Sequence, residues 1–98
     1  MDVRFSDSDL ERLEADPAFY AGHSKEVVKG FRKLMQAIRA AVDERDLYGM
    51  KSFRFEKLKG SRFHQHSLRI NIQWRLIVEV IEHRPKNILK IVAIEDYH

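Results

Sequence analysis

Trp74-Arg75-Leu76-Ile77-Val78-Glu79-Val80-Ile81, then His83-Arg84-Pro85-Lys86-Asn87, then Ile88-Leu89-Lys90-Ile91-Val92-Ala93-Ile94, decide the fold of this 98-residue chain. Both apolar runs are short and rich in β-branched residues, which favours strands over helices. The Pro-Lys-Asn segment between them is a turn, so the second strand returns beside the first. Neither run alternates cleanly, as expected of strands buried in a sheet. Upstream the pattern is two-fold. Leu68, Ile70 and Ile72 alternate with Ser67, Arg69 and Asn71, and Phe53 and Phe55 alternate with Arg54 and Glu56. These predict two further strands. Lys59-Gly60-Ser61-Arg62 and Asn71-Ile72-Gln73 are the expected turns.

The first half reads differently. Val3-Arg4-Phe5 is an expected edge strand. Ser8-Asp9-Leu10-Glu11 has the form of a capping box, with Ser8 as N-cap, and opens a short helix that ends by Asp16, before Pro17. Ala21-Gly22-His23-Ser24 is a loop. Val27, Val28, Phe31, Leu34, Met35, Ile38, Ala41 and Val42 recur at steps of three and four. They predict one amphipathic helix from about Ser24 to Arg45. The order is β-α-α-β-β-β-β in a single domain over residues 1–98. The fold class is α+β, with both helices on one face of a mainly antiparallel sheet.

Composition narrows the chemistry. There is no cysteine, hence no disulfide, thiolate nucleophile or Cys-based zinc site. The N-terminus lacks a basic segment followed by an apolar one, so no signal peptide is expected. No apolar run reaches membrane-spanning length, and a cytoplasmic protein is expected. The formal charge is only +3 but unevenly spread. Lys51, Arg54, Lys57, Lys59, Arg62, Arg69 and Arg75 face a single acid, Glu56, between residues 51 and 75. A basic stripe on an otherwise balanced chain fits a polyanion partner, RNA above all, although solvated strand faces carry such residues too.

Cleaving RNA through its 2′-hydroxyl needs a base, an acid and cations at the phosphate. His98 at the chain end is the first candidate for proton transfer, because imidazole titrates near ~6.5. Tyr97 is placed to stack on a base or bond a phosphate, and Asp96 to orient either neighbour. Arg75, Arg69, Lys59 and Arg62 are phosphate candidates, since guanidinium binds oxygens bidentately. Arg75 opens a buried strand and needs a partner there. Lys57 and Arg54 extend the cationic set. His64 and His66 stand two apart, and a zinc reading with His98 is a weak alternative. No cofactor and no metal are expected.

Leu58-Lys59-Gly60-Ser61-Arg62, Ser67-Leu68-Arg69-Ile70-Asn71-Ile72-Gln73-Trp74-Arg75-Leu76 and Glu95-Asp96-Tyr97-His98 together resemble the HigB killer-protein family, a branch of the RelE toxin superfamily. The resemblance spans nearly the whole chain. It implies a RelE-like fold and a type II toxin that cleaves mRNA in the ribosomal decoding site without a metal. It also implies a HigA-like antitoxin, the 70S ribosome and mRNA as partners. A monomeric free toxin and a hetero-oligomeric toxin–antitoxin complex are expected. By the resemblance, His98, Tyr97 and Asp96 form the terminal catalytic group. Lys59 falls on the active-site lysine and Arg75 on the phosphate-binding arginine. Glu56 and Lys57 stand where many members carry a catalytic His-Pro pair, and Ser61 stands where Asp is usual. Either Glu56 serves as the base or His98 works without a second histidine. A ParE-like gyrase poison with no nuclease activity, or a non-catalytic RNA-binding module, are the competing functions.

Overall fold

The computed structural model describes residues 1–96. Its elements run β1 (Val3–Phe5), α1 (Ser8–Ala15), α2 (Lys25–Ala40), α3 (Glu44–Gly49), β2 (Glu56–Lys57), β3 (His66–Arg69), β4 (Trp74–Ile81) and β5 (Ile88–Asp96). Single 3-10 turns at Lys51–Phe53 and Gly60–Arg62 flank β2. The strands form one sheet in the order β1-β5-β4-β3-β2. All pairs are antiparallel except β1 with β5. The fold is the expected α+β arrangement of helices on a mostly antiparallel sheet.

The core lies between helices and sheet. Leu13 of α1, Val28, Phe31, Leu34, Met35 and Ile38 of α2, and Leu47 of α3 meet Leu68, Leu76, Val78, Leu89 and Ile91 from the strands. Arg32 ties α1 to α2 by donating to the carbonyls of Leu13, Asp16 and Phe19 at 3.1, 2.9 and 3.1 Å. Those carbonyls lie in the last turn of α1 and just beyond it, where helix hydrogen bonds run out.

Several sequence expectations need correction. The N-cap of α1 is Asp7, not Ser8; its carboxylate accepts from the Leu10 amide at 2.9 Å. The long helix stops at Ala40, not Arg45. Asp46 takes the Val42 amide at 2.7 Å, and Asp43 takes the Arg45 amide at 3.0 Å and caps α3, a helix the pattern did not predict. Short carboxylate side chains that capture nearby amides compete with helix continuation. Val42, assigned to the apolar face, is 55% exposed as a result. The Phe53–Glu56 alternation is not a strand. Lys51–Phe53 is a 3-10 turn, Arg54 is left-handed at φ 47°, and only Glu56 and Lys57 pair with β3.

One irregularity sets the geometry of the open face. Ile77 pairs with Ala93 but Val78 pairs with Ile91, so Val92 is an extra residue in β5. Leu89 and Ile91 face the helices. Strict alternation would send Ala93 and Glu95 the same way. The bulge reverses the parity: Ile94 packs on the core and Glu95 emerges on the opposite face beside Arg75.

Candidate functional site

The face away from the helices is organised by β-register. Arg69 of β3 stands directly opposite Arg75 of β4, and Arg75 stands opposite Glu95 of β5. Like charges directly across a ladder repel, so Arg69 beside Arg75 is an arrangement that an anion would relieve. Glu95 offsets one of the two. It accepts both terminal nitrogens of Arg62 at 3.1 and 2.9 Å and lies 3.4 Å from the nearer Arg75 nitrogen. The Arg62 hydrogen bonds, outweighing burial, hold the Glu95 carboxyl below the usual carboxylate range. Arg62 Nε also donates to Gln65 at 3.0 Å, and Gln65 donates to Glu79 at 3.1 Å. The segment after the 3-10 turn is thereby strapped across the open face. Ile77, on that face, is fully buried.

An open cleft of about 320 Å³ adjoins this row. Arg54, Glu56, Ser67, Arg69, Asn71, Ile72, Trp74 and Arg75 line it. Four sequence candidates, Arg54, Glu56, Arg69 and Arg75, are thus brought together. Arg62 reaches the same row through Glu95. Asp96, the last described residue, stands opposite Trp74 and accepts from the Gln73 amide side chain at 3.3 Å. Lys59 is exposed at the start of its 3-10 turn and does not line the cleft. Lys57 lies outside the cleft as well, 6.0 Å from the Phe63 ring centre. The cleft therefore takes in only Arg54, Arg69 and Arg75 of the basic residues between 51 and 75. Tyr97 and His98 lie outside the described residues.

The zinc pairing of His64 with His66 does not hold. His64 precedes β3 and approaches Glu79 at 3.9 Å on the open face. His66 points to the other face. Its ring stacks on Phe55 at 4.6 Å, and its Nε2 meets the Tyr48 hydroxyl at 3.1 Å. Alternation could not relate them, because the strand begins only at His66. Among the described residues, no group of three or more His, Cys, Asp or Glu side chains is placed to hold a metal ion.

Sequence reasoning missed Ser67, Asn71, Ile72 and Glu95. Among the described residues Ser67 is a polar side chain buried beside the core, 7% exposed. Its position in β3, between Glu56 and Ile77 in register, is a pairing fact. Glu95 needed the bulge.

A family model described as the RelE-like toxin of the type II toxin–antitoxin system HigB matches residues 3–98. The chain belongs to the HigB-like toxin family. No curated protein matches it. Several chains of solved structures resemble this HigB-like toxin, the following two among them. A YoeB/ParE toxin from Agrobacterium tumefaciens aligns with TM-score 0.58 and 17% identity, over 100% of both chains. A chain of a YoeB-YefM complex from Staphylococcus aureus aligns with TM-score 0.61 and 24% identity, over 100% of this chain and 97% of that one. At such identities the likeness concerns the fold. The HigB-like toxin is thus a type II toxin of the RelE superfamily. No helix among its described residues is long and apolar enough to cross a membrane.

Proposed function

We propose that this toxin is a ribosome-dependent mRNA endoribonuclease and that the cleft holds the phosphate at which the strand is cut. One observation carries the reading: Arg69 and Arg75 are registered side by side across two strands and line the same cleft. Paired guanidinium groups suit a phosphate whose charge grows as it becomes five-coordinate. In the proposed reaction a base removes the ribose 2′-hydroxyl proton, and the 2′-oxygen attacks phosphorus. The bond to the 5′-oxygen breaks, and an acid protonates that oxygen. The products are a 2′,3′-cyclic phosphate and a free 5′-hydroxyl.

His98 is assigned the acid and Glu56 the base. Glu56 lines the cleft beside the arginines. With His98 as base, the roles reverse. Tyr97 is assigned to the scissile nucleotide and Asp96 to orienting the terminal pair. Lys59, Lys57 and Arg62 serve at the rim, contacting flanking phosphates. No metal enters these steps. The partners are the 70S ribosome with its mRNA and a HigA-like antitoxin, in the cytoplasm, with a hetero-oligomeric inhibited complex and a monomeric free toxin. The family and the complexed structural neighbour support an antitoxin partner.

Inducing the toxin in growing bacteria and mapping transcript ends tests the reading. Codon-phased cuts confined to translated mRNA are expected. Intact mRNA with arrested replication would assign the ParE-like alternative instead.

A further inference from the structure

The turn from Ile70 to Gln73 is held more tightly than an exposed hairpin tip requires. The Ile70 and Asn71 amides both donate to the Trp74 carbonyl, at 2.9 and 3.1 Å. The Asn71 side-chain oxygen accepts from the Gln73 and Trp74 amides at 2.9 and 2.8 Å. Arg69 Nε donates to the Asn71 carbonyl at 3.3 Å, and Gln73 reaches Asp96 at 3.3 Å. Beneath the turn, Gly30 leaves no room for a side chain against Ile70. The residue these bonds leave outside is Ile72, 84% exposed, the most exposed large apolar side chain among the described residues.

A single exposed isoleucine is ordinary. Two features set this one apart. It lines the cleft whose other walls carry Arg54, Arg69, Arg75 and Glu56. It also stands on a fixed turn and is stiff at χ1, so little freedom remains to be lost when something packs on it. Phosphate and hydroxyl groups have no use for an aliphatic surface, but the flat face of a nucleobase does. The cleft, at about 320 Å³, lies at the low end of the range for small-ligand sites, which suits one unpaired nucleotide.

We propose that Ile72 is the floor or ledge of a nucleobase subsite, packing against the base of the nucleotide whose phosphate Arg69 and Arg75 hold. The inference rests on the phosphate reading above and adds to it the part of the nucleotide recognised. Contact with a base face is tolerant of sequence, so Ile72 supplies affinity and orientation rather than a letter code.

Strand binding without cleavage tests this. The probes are a short single-stranded oligodeoxynucleotide, which lacks the attacking 2′-hydroxyl, and an abasic strand with the same number of phosphates. The chain's one tryptophan, Trp74, lines the cleft and reports occupancy by its emission. Ile72→Ala is expected to weaken the base-bearing strand about tenfold, to leave the abasic strand unchanged, and to keep the melting temperature. Ile72→Leu should retain binding. An equal loss on both strands, or no loss on either, overturns the subsite. So does a loss seen only for antitoxin binding, which would make Ile72 a protein contact. If the unmutated toxin binds neither strand at low salt, the phosphate reading itself fails, and that result is distinct from base-independent binding.

Discussion

Gly30 of α2 lies directly under Ile70: a Cβ built on Gly30 would stand 2.7 Å from Ile70 Cγ2 and 3.1 Å from its carbonyl oxygen. The helix can therefore approach the end of β3 at a distance that only glycine permits. The turn that follows Ile70 carries Asn71 and Ile72 into the cleft lining, and Arg69 precedes it. The helix layer thus sets the height of the candidate site on the opposite side of the sheet.

Gly30→Ala is the direct test. Alanine favours the helix by roughly 1 kcal/mol, but overpacking costs about 1–3 kcal/mol. A net loss of stability is expected, with weaker strand binding because the turn must lift. Ile70→Ala in the same protein should restore part of both. Additive effects of the two substitutions in melting and binding would show that the contact is not limiting.

Arg75→Ala should remove a phosphate ligand at the centre of the Arg69-Arg75-Glu95 row. Cleavage of translated mRNA is expected to fall about 100-fold or more, by analogy with loss of a donor to a developing oxyanion. Lys86→Ala, exposed in the β4–β5 turn, should leave it unchanged. With Arg54, Arg69 and Arg75 at the phosphates of the cleft and Lys57, Lys59 and Arg62 at flanking ones, log K for single-stranded RNA should fall against log salt with a slope of about −4. A slope near zero would falsify the phosphate assignment.

His66 gives a pH dependence on the other face. Burial, aided by nearby Lys57 and opposed by Glu44, pushes its imidazole below the ordinary value. The folded state therefore binds this proton less readily than the unfolded chain, whose histidine titrates near ~6.5. Its stabilisation is complete above that value and is lost as pH falls through it toward the lower folded value. His66→Phe keeps a ring on Phe55 and removes the titration. Its stability should change less than that of the parent between about pH 7.5 and 5.5.

Glu95 acts at lower pH and through the opposite charge. Its carboxyl is held low by Arg62, then Arg75, so its contribution is present above the unfolded value of ~4.3 and lost as pH falls through the folded one. Glu95→Gln should flatten the acid limb of the stability curve. It should also loosen Arg62, which donates to both carboxylate oxygens. An unchanged acid limb would show that the triad contributes nothing to folding.

Core and chain end should separate cleanly. Phe31 is fully buried, and Phe31→Ala should cost about 3–5 kcal/mol in thermal or denaturant unfolding. Deleting Tyr97 and His98 is expected to keep the melting temperature, with the ladder from Ile88 to Asp96 left intact. Cleavage in translating extracts should be abolished. Full activity of the truncated protein at equal folded concentration would move the proton-transfer groups elsewhere.

The sequence by itself determined what short-range chemistry controls. Apolar periodicity marked α2, β4 and β5, and the Asn71-Ile72-Gln73 turn lies where it was expected. The residue string from Lys59 to Arg75 and the chain end carried the family resemblance. Local competition was harder to read: the carboxylates of Asp43 and Asp46 end one helix and start another, which periodicity alone does not weigh. The site was legible as a set of residue types, and Arg54, Glu56, Arg69 and Arg75 do share a cleft. Only the tertiary structure decided that Arg69 faces Arg75, that Glu95 joins Arg62 and Arg75, and that His64 and His66 part company. Those relations depend on strand register and on one extra residue at Val92. Because side chains alternate with a period of two, a single inserted residue moves everything beyond it to the other face of the sheet.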